Sequence, residues 1–307
     1  MTTLKNNKRR KLSQQSIGTF FVSHGFEKTF SANSITPSQI FDLIPPRWKA
    51  CESIQTVLRN KRNFVVPVTE HLRKKGIDAV SPKPEYIFES LIEINPDEVR
   101  WICVVDNCVS VRENNTGIPC SGRRKNADAE YTGLEQGFLG MLRASGVLVQ
   151  GMKRDEVDDI LLNSSGTLRG LIHAPNNVLI IPANWTCNEG DSWRQHSDIG
   201  WRLFTRAVIE AALAHSDVKG AFLWGFHSRE FMNCFDSKAM VLTATSPYQS
   251  RWPNSNTRFQ NAPFPGMGRA NMHMTAKDID WACIANAEAP KSKLSVVRAV
   301  QDGWEEE

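Results

Sequence analysis

The stretch that decides the fold is WICVVDN, which runs from Trp101 to Asn107. Its first five residues are apolar on both faces and are followed by polar turn residues, which is typical of a buried parallel strand. Three further runs share this character, namely VLII at 178–181, AFLW at 221–224 and MVL at 240–242. Between the runs lie stretches with one apolar helical face, such as Trp201, Phe204 and Val208. The alternation predicts an α/β fold with a central parallel sheet.

Outward from these runs, the chain divides into a folded domain and two tails. Residues 1–40 are polar and basic without sustained periodicity, and we interpret them as a disordered tail. Residues 45–285 form the predicted domain, and residues 286–307 are polar and end in three glutamates. The basic run Lys5–Lys11 is either a nuclear address or phosphate-binding patch, or simply a solvated tail.

Composition excludes several classes of protein. With 307 residues and 41% hydrophobic residues, the chain can build a substantial core, so a fully disordered or collagen-like chain is excluded. The net charge of +4 permits a nucleic-acid partner without requiring one. No apolar stretch approaches the length of a membrane span, so no membrane association is expected. The seven cysteines are scattered with no C-x-x-C pair, which argues against a zinc site or disulfide framework.

The basic tail also contains a short apolar motif. Gln14, Ile17, Phe20 and Phe21 fit the pattern Q-x-x-I-x-x-F-F, and the three apolar residues fall on one side of a helical turn. This resembles the motif by which replication and repair proteins bind the sliding clamp PCNA. The alternative is an apolar staple that packs onto the protein's own domain.

Polar residues follow the predicted strands at the sheet edge where ligands bind in α/β proteins. Asp106 ends the first run, where a carboxylate can orient a water or stabilise a cation, although on spacing alone an Asx-turn is the simpler explanation. Asn184 follows the second run, where its amide could read the edge of a base or form a turn. The third run is followed by Gly225-Phe226-His227, and the fourth by a Ser/Pro/Tyr/Gln loop with Arg251, which could meet a phosphate backbone.

In order and spacing, these residues resemble a family 1 uracil-DNA glycosylase. Asp106 matches the Asp of G-Q-D-P-Y-H, and residues 117–121 match G-L-x-F-S. Pro182-Ala183-Asn184 is similar to L-L-L-N and especially to a poxvirus-like I-P-W-N. The remaining matches are His196, Gly200-Trp201 and Phe204-Thr205 to S-H-x-x-x-G-W-x-x-F-T, residues 222–225 to F-L-L-W-G, and residues 279–281 to P-I-D-W.

The resemblance implies a three-layer α/β/α domain around a four-stranded parallel sheet. It also implies DNA, single- or double-stranded and containing uracil, as partner, and hydrolysis of the N-glycosidic bond of a flipped uracil by a monomer without metal or cofactor. Asp106 would stabilise the sugar cation and position the attacking water, and Asn184 would bind the uracil edge. The expected location is the nucleus of the organism, or of the host if the protein is viral.

Several positions depart from the family pattern. Cys108 stands where the family has the Tyr that excludes thymine, and Cys120 where it has the Phe that stacks on uracil. The loop at 244–250 contains no His, so Thr245 or Ser246 would be weaker donors to the uracil oxygen, with His227 or His273 as alternatives. Tyr248 could wedge into a base step. The expected DNA-contacting residues are Ser121, Ser246, Pro247, Tyr248, Ser250 and Arg251.

Three hypotheses follow. The first is an active but weakened glycosylase, supported by Asp106 and Asn184 at the strand ends. The second is a catalytically inactive DNA-binding or replication-accessory protein on the same fold, supported by the missing His and the clamp-like tail. The third is an unrelated α/β enzyme.

Overall fold

The computed structural model describes residues 35–107, 115–119, 141–142, 145–147, 153, 155–156, 159, 168–188, 196, 199–244 and 266–286. The strands of this part are β1 (Val80–Ser81), β2 (Trp101–Asn107), β3 (Val178–Asn184), β4 (Cys187–Asn188), β5 (Gly220–Trp224) and β6 (Met240–Ala244). Its α-helices are α1 (Pro46–Lys49), α2 (Glu52–Arg59), α3 (Val66–Lys75), α4 (Glu89–Glu93), α5 (Trp201–His215) and α6 (Gly266–Met274). A π-helical turn spans Lys61–Val65, and 3₁₀ helices span Pro37–Leu43, Ile77–Ala79, Pro84–Tyr86, Pro96–Glu98, Arg169–Leu171, Ser228–Cys234 and Trp281–Asn286.

The central sheet has four parallel strands in the order β3-β2-β5-β6, and each of the four predicted runs forms one of them. Every residue of β3 and of β5 is buried, so both faces of the sheet are covered at these two strands. The predicted α/β fold with a central four-stranded parallel sheet and flanking helices is therefore confirmed. A short antiparallel pair, β1 with β4, lies beside it.

The position of Pro182 follows from the strand order. It pairs with Val105 of β2, and β3 is an edge strand of the sheet. A proline cannot donate a ladder hydrogen bond, and an edge strand has one side on which none is needed.

The core extends beyond the predicted domain boundaries at the amino-terminal end. Within the 3₁₀ helix Pro37–Leu43, Ile40 is fully buried and Phe41 is 7% exposed. The folded part therefore includes residues that the sequence analysis assigned to the tail, because these apolar side chains pack into the core cluster. At the other end, Trp281 and Ile284 are buried in the same cluster.

Two further features concern the described residues. Cys51, Cys234 and Cys283 are free thiols. No helix in this part of the chain combines the length and the apolar character that a membrane span requires.

Candidate active site

Asp106 lies at the carboxyl end of β2 and is held there by the turn that follows β5. Its side chain is 2% exposed. The backbone N–H of Phe226 donates to Oδ2 at 2.8 Å, and the backbone N–H of Ser228 donates to Oδ1 at 2.9 Å. Each carboxylate oxygen thus accepts one charge-assisted hydrogen bond, which is stronger than a neutral one and fixes the orientation of the group.

Gly225 makes this arrangement possible. Its φ of +129° lies in the region that favours glycine, and a Cβ built on it would lie 2.1 Å from the Asp106 carboxylate. Its backbone N–H donates to the carbonyl of Ala244 at the end of β6, at 2.9 Å. The ends of β2, β5 and β6 are therefore tied together around one carboxylate.

Asn184 ends β3, the strand next to β2, and is 1% exposed. It pairs in register with Asn107, so Asp106 and Asn184 lie within one residue of each other along adjacent strands. Adjacent strands are about 4.8 Å apart. The structure thus brings both predicted strand-end residues to the same edge of the sheet.

Helix α5 fixes the end of β3. The hydroxyl of Thr205 donates to the carbonyl of Pro182 or Ala183, at 3.0 and 3.2 Å, and accepts the indole N–H of Trp185 at 2.9 Å. Trp185 also packs against Phe204, with ring centroids 5.1 Å apart. These contacts give the G-W-x-x-F-T segment a structural role, since they hold the backbone on either side of Asn184.

A buried polar network continues from the same segment. Nε2 of His196 lies 2.8 Å from Oδ1 of Asn188 and 3.1 Å from Nε2 of His71. Because Asn188 Oδ1 only accepts, His196 carries its proton on Nε2. Its Nδ1 then accepts from the hydroxyl of Thr186 at 2.8 Å, and that hydroxyl accepts the indole N–H of Trp201 at 2.6 Å.

The surroundings of both histidines lower their pKa values. Burial, the neighbouring His71 and then Lys75 lower the pKa of His196 from 6.5 to about 3. Burial and then the charges of Lys75 and Lys74 lower the pKa of His71. A second proton on His196 would have to go to Nδ1, which already accepts the hydrogen bond from the Thr186 hydroxyl.

The depressed pKa values predict that the protein loses stability as the pH falls. A histidine with pKa 6.5 in the unfolded chain takes up a proton below that pH, while His196 in the folded state stays neutral down to about pH 3. The free energy of unfolding is therefore highest above pH 6.5 and declines below it, by on the order of 1 kcal/mol per pH unit for His196. We expect the free energy of unfolding, measured in urea between pH 7 and pH 5, to show this slope.

Two variants test the assignment to this pair. His71→Gln removes one histidine with a lowered pKa and the neighbour that opposes protonation of His196, so its stability is expected to fall less steeply with decreasing pH. His215→Gln changes an exposed histidine at the end of α5 and is expected to keep the wild-type slope. Equal slopes in wild type and His71→Gln would contradict the prediction.

The two histidines considered as replacement donors differ in environment. The Nδ1 of His227 accepts from a guanidinium N–H of Arg202 at 2.9 Å, and Arg202 in turn binds both oxygens of Glu230 at 2.8 Å. These contacts fix the position of the His227 ring at the turn that follows β5. His273 is exposed on α6.

Gly117, part of the segment that resembles G-L-x-F-S, is required by the backbone. Its φ is +76°, and a Cβ there would lie 1.8 Å from the carbonyl oxygen of Tyr86. Asn115 donates to Ser81 Oγ at 2.9 Å and accepts the N–H of Gly117 at 2.9 Å, which ties residues 115–119 to β1. Only glycine fits at position 117 without a steric clash, which explains why the segment has glycine there.

The other predicted site residues lie outside the described part of the chain. These are Gln14, Ile17, Phe20, Phe21, Cys108, Cys120, Ser121, Thr245, Ser246, Pro247, Tyr248, Ser250 and Arg251. Among the residues that are described, no three His, Cys, Asp or Glu side chains are grouped as metal ligands.

Sequence reasoning missed two features of the site. The donors to Asp106 are backbone amides about 120 residues away, whose only sequence signal is the glycine that follows β5. His71 has no motif of its own, and its contact with His196 spans 125 residues.

Sequence comparison finds three similar proteins that carry the name uracil-DNA glycosylase. The chain is 34% identical to the enzyme of Francisella philomiragia over 96 residues, which cover 30% of this chain and 40% of that protein. It is 30% identical to the enzyme of Vibrio campbellii over 109 residues, covering 35% and 47%. The chain thus aligns with less than half the length of each of these relatives. No family model matches the sequence.

Structure comparison identifies the fold as that of uracil-DNA glycosylases. The mimivirus uracil-DNA glycosylase superposes with a TM-score of 0.52 at 15% identity, over 68% of this chain and 71% of that one. A variant of the mimivirus enzyme in complex with UGI gives 0.53 at 17% identity, over 79% and 90%. The enzyme of Nitratifractor salsuginis gives 0.50 at 13% identity, over 82% and 96%.

Proposed function

We propose that the protein is a DNA repair enzyme that flips uracil out of DNA and hydrolyses its N-glycosidic bond. The observation that carries the proposal is the carboxylate of Asp106, held by two backbone amides at the carboxyl edge of the sheet. The collinear motifs and the likeness to named uracil-DNA glycosylases support the choice of substrate.

In the proposed reaction the bond between C1′ and the uracil nitrogen breaks, and its electron pair leaves on uracil. The negative charge of Asp106 stabilises the cationic sugar. An ionised carboxylate has about four lone-pair sites, so two remain beside the two amides, and one can orient a water. The water oxygen bonds to C1′, and the proton that it loses passes by way of the Asp106 carboxylate to the uracil anion, so that the products are uracil and an abasic sugar. Asn184 reads the uracil edge, because an amide offers a donor and an acceptor side by side.

The remaining roles at the site are proposed from sequence alone. Cys108 and Cys120 line the uracil pocket, and Thr245 or Ser246 donates to the uracil oxygen. Ser121, Ser246, Pro247, Tyr248, Ser250 and Arg251 contact DNA. Cys108 is smaller than the Tyr of the family, so rejection of thymine is expected to be weaker.

A direct assay tests the proposal. The full chain is incubated with a single-stranded oligonucleotide that contains one uracil, and alkali then cleaves any abasic site. Cleavage at the uracil position supports the proposal, and an oligonucleotide with thymine there measures selectivity. Absence of cleavage with intact DNA binding supports the second candidate, a non-catalytic accessory protein, which is favoured by the lack of a His at 244–250.

We also propose that the tail binds the sliding clamp PCNA through Gln14, Ile17, Phe20 and Phe21, and that the protein acts in a nucleus. The support is the complete Q-x-x-I-x-x-F-F pattern beside the basic run Lys5–Lys11. The I-P-A-N form of residues 181–184, close to a poxvirus-like variant, supports a divergent, viral member of the family.

Changing both Phe20 and Phe21 to Ala is expected to abolish clamp binding, because aromatic anchors in such motifs carry most of the binding energy. Loss of two anchors should weaken the affinity by at least about 100-fold, measured by calorimetry with purified PCNA. The matched control is Phe26→Ala with Phe30→Ala, which removes the same aromatic area from the same tail. Equal affinity of the two double variants would contradict the clamp proposal.

A further inference from the structure

Phe226 is the most exposed large hydrophobic side chain among the described residues, at 70%. It directly follows Gly225 at the carboxyl end of β5, and its own N–H binds Asp106. Single apolar side chains on a protein surface are common and need no explanation by themselves. What distinguishes Phe226 is that its own backbone N–H binds the carboxylate of the proposed active site.

The backbone that carries this ring is fixed. The Phe226 N–H donates to Asp106 Oδ2 at 2.8 Å, the Gly225 N–H donates to the carbonyl of Ala244, and the hydroxyl of Ser228 donates to the carbonyl of Gly225 at 3.0 Å. The backbone that carries the ring therefore has a fixed position relative to Asp106.

The ring is also supported from one side. The imidazole of His227 lies at 5.3 Å between centroids and nearly perpendicular, at 86°. His227 is itself held by Arg202, and Arg202 by Glu230. A ring that is already ordered pays little entropy on binding a planar ligand, which is the condition for an effective stacking platform.

A free cation stands close by in the chain. Arg229 is exposed in the 3₁₀ helix Ser228–Cys234, and it forms no ion pair with any residue that the structure describes. In contrast, Arg202 is neutralised by Glu230. An exposed aromatic ring followed by an unpaired arginine is the combination that single-stranded nucleic acids bind, through base stacking and phosphate contacts.

We propose that Phe226 is a stacking platform for an unpaired nucleobase that neighbours the excised nucleotide, with Arg229 contacting its phosphate. The inference rests on the proposed function, which places the active site at Asp106. In a duplex the neighbouring bases are already stacked on each other, so this platform favours single-stranded substrate.

Binding of the full chain to a fluorescent single-stranded oligonucleotide tests the platform. The oligonucleotide carries one 2′-fluorodeoxyuridine, which resists hydrolysis because fluorine destabilises the sugar cation. Phe226→Ala is expected to weaken binding by about 5- to 150-fold, which is the range for loss of one stacked base. Phe226→Trp should retain the affinity, and Phe226→Leu, which keeps apolar area without an aromatic face, should lose most of it. The control Met274→Ala removes another exposed apolar side chain, 61% exposed on α6, and should change nothing.

A second substrate series identifies the base. Each nucleotide that flanks the uridine is replaced in turn by an abasic analogue. One of these replacements should weaken binding by wild type about as much as Phe226→Ala does. The same replacement should leave binding by Phe226→Ala unchanged, because the stacking contact is already lost. Equal sensitivity of both proteins would overturn the proposal.

Failure of this inference is distinguishable from failure of the proposed function. If wild type excises uracil and Phe226→Ala binds DNA as tightly as wild type, the platform is overturned and the glycosylase assignment stands. If wild type excises nothing but binding still depends on Phe226, the platform stands. If the change leaves DNA binding intact and instead converts dimers to monomers in sedimentation, the ring belongs to an interface between copies and the proposal is overturned.

Discussion

Asp106→Asn is expected to lower uracil excision by about 10²- to 10³-fold, the usual effect of removing one electrostatic contact to charge that develops in the transition state. The change removes the negative charge opposite the sugar cation and keeps the size of the side chain. It also places an NH₂ group opposite the N–H of Phe226 or Ser228, which leaves a buried donor unsatisfied and costs about 1–3 kcal/mol of stability. Excision must therefore be measured under conditions where the variant is folded, with the thermal midpoint recorded alongside.

Asp236→Asn is a matched control for this experiment. Asp236 also accepts two backbone N–H groups through one oxygen, from Lys238 at 2.9 Å and Ala239 at 3.1 Å, but it precedes β6 and so lies at the opposite end of the strands. It is an Asx-turn without a role at the proposed site. If Asp106 were only a turn residue, both changes would affect stability alone. We expect excision to fall only in Asp106→Asn, while affinity for an oligonucleotide with 2′-fluorodeoxyuridine persists.

Unchanged excision in a folded Asp106→Asn protein would contradict the assignment of Asp106 as the catalytic carboxylate. A fall in excision that only parallels the loss of folded protein would do the same. The Asp236 variant controls for net charge, because it also loses one carboxylate and is expected to keep its activity.

Strands β2, β3 and β5 were predictable because each is buried on both faces, and a strand buried in this way consists of an uninterrupted apolar run. The run at 101–105 and the run at 178–181 need only two and three further residues to become β2 and β3. The helical face of α5 was predictable for a related reason, since Trp201, Phe204 and Val208 recur at helical spacing and are fully buried.

The candidate site was predictable only in part. Sequence placed Asp106 and Asn184 at strand ends, and parallel strands bring such ends together. The contacts that orient Asp106 come from backbone amides, which every residue except proline carries, so residue type could not reveal them. The exposure of Phe226 was equally hidden, because an apolar residue after a buried strand is expected to be buried. It is exposed because the turn is dictated by Gly225 and Asp106 rather than by the ring.

Introducing two residues of the uracil-DNA glycosylase motifs is expected to raise excision. In the alignment with those motifs, Cys120 falls at the position of an aromatic ring, and residues 244–250 contain no His. Stacking of one base on an aromatic ring is worth about 1–3 kcal/mol, and a donor to the leaving oxygen about 10²- to 10³-fold in rate. If the enzyme is weakened only by these losses, Cys120→Phe combined with Thr245→His or Ser246→His should raise excision by about one to three orders of magnitude. The assay is single-turnover excision from a single-stranded oligonucleotide.

The control Cys120→Leu separates stacking from filled volume, because it adds apolar bulk without an aromatic face. In a weakened enzyme, Cys120→Leu should gain little and Cys120→Phe should gain measurably even without the added His. In an accessory protein whose pocket has closed, both substitutions overpack the interior and lower stability by about 1–3 kcal/mol. Excision then stays at background, while DNA binding persists and falls steeply with salt, because phosphate contacts rather than a uracil pocket supply it. Excision by Cys120→Phe rises in the first case and stays at background in the second. This comparison therefore decides between a glycosylase that lacks two side chains of its uracil pocket and a glycosylase fold that only binds DNA.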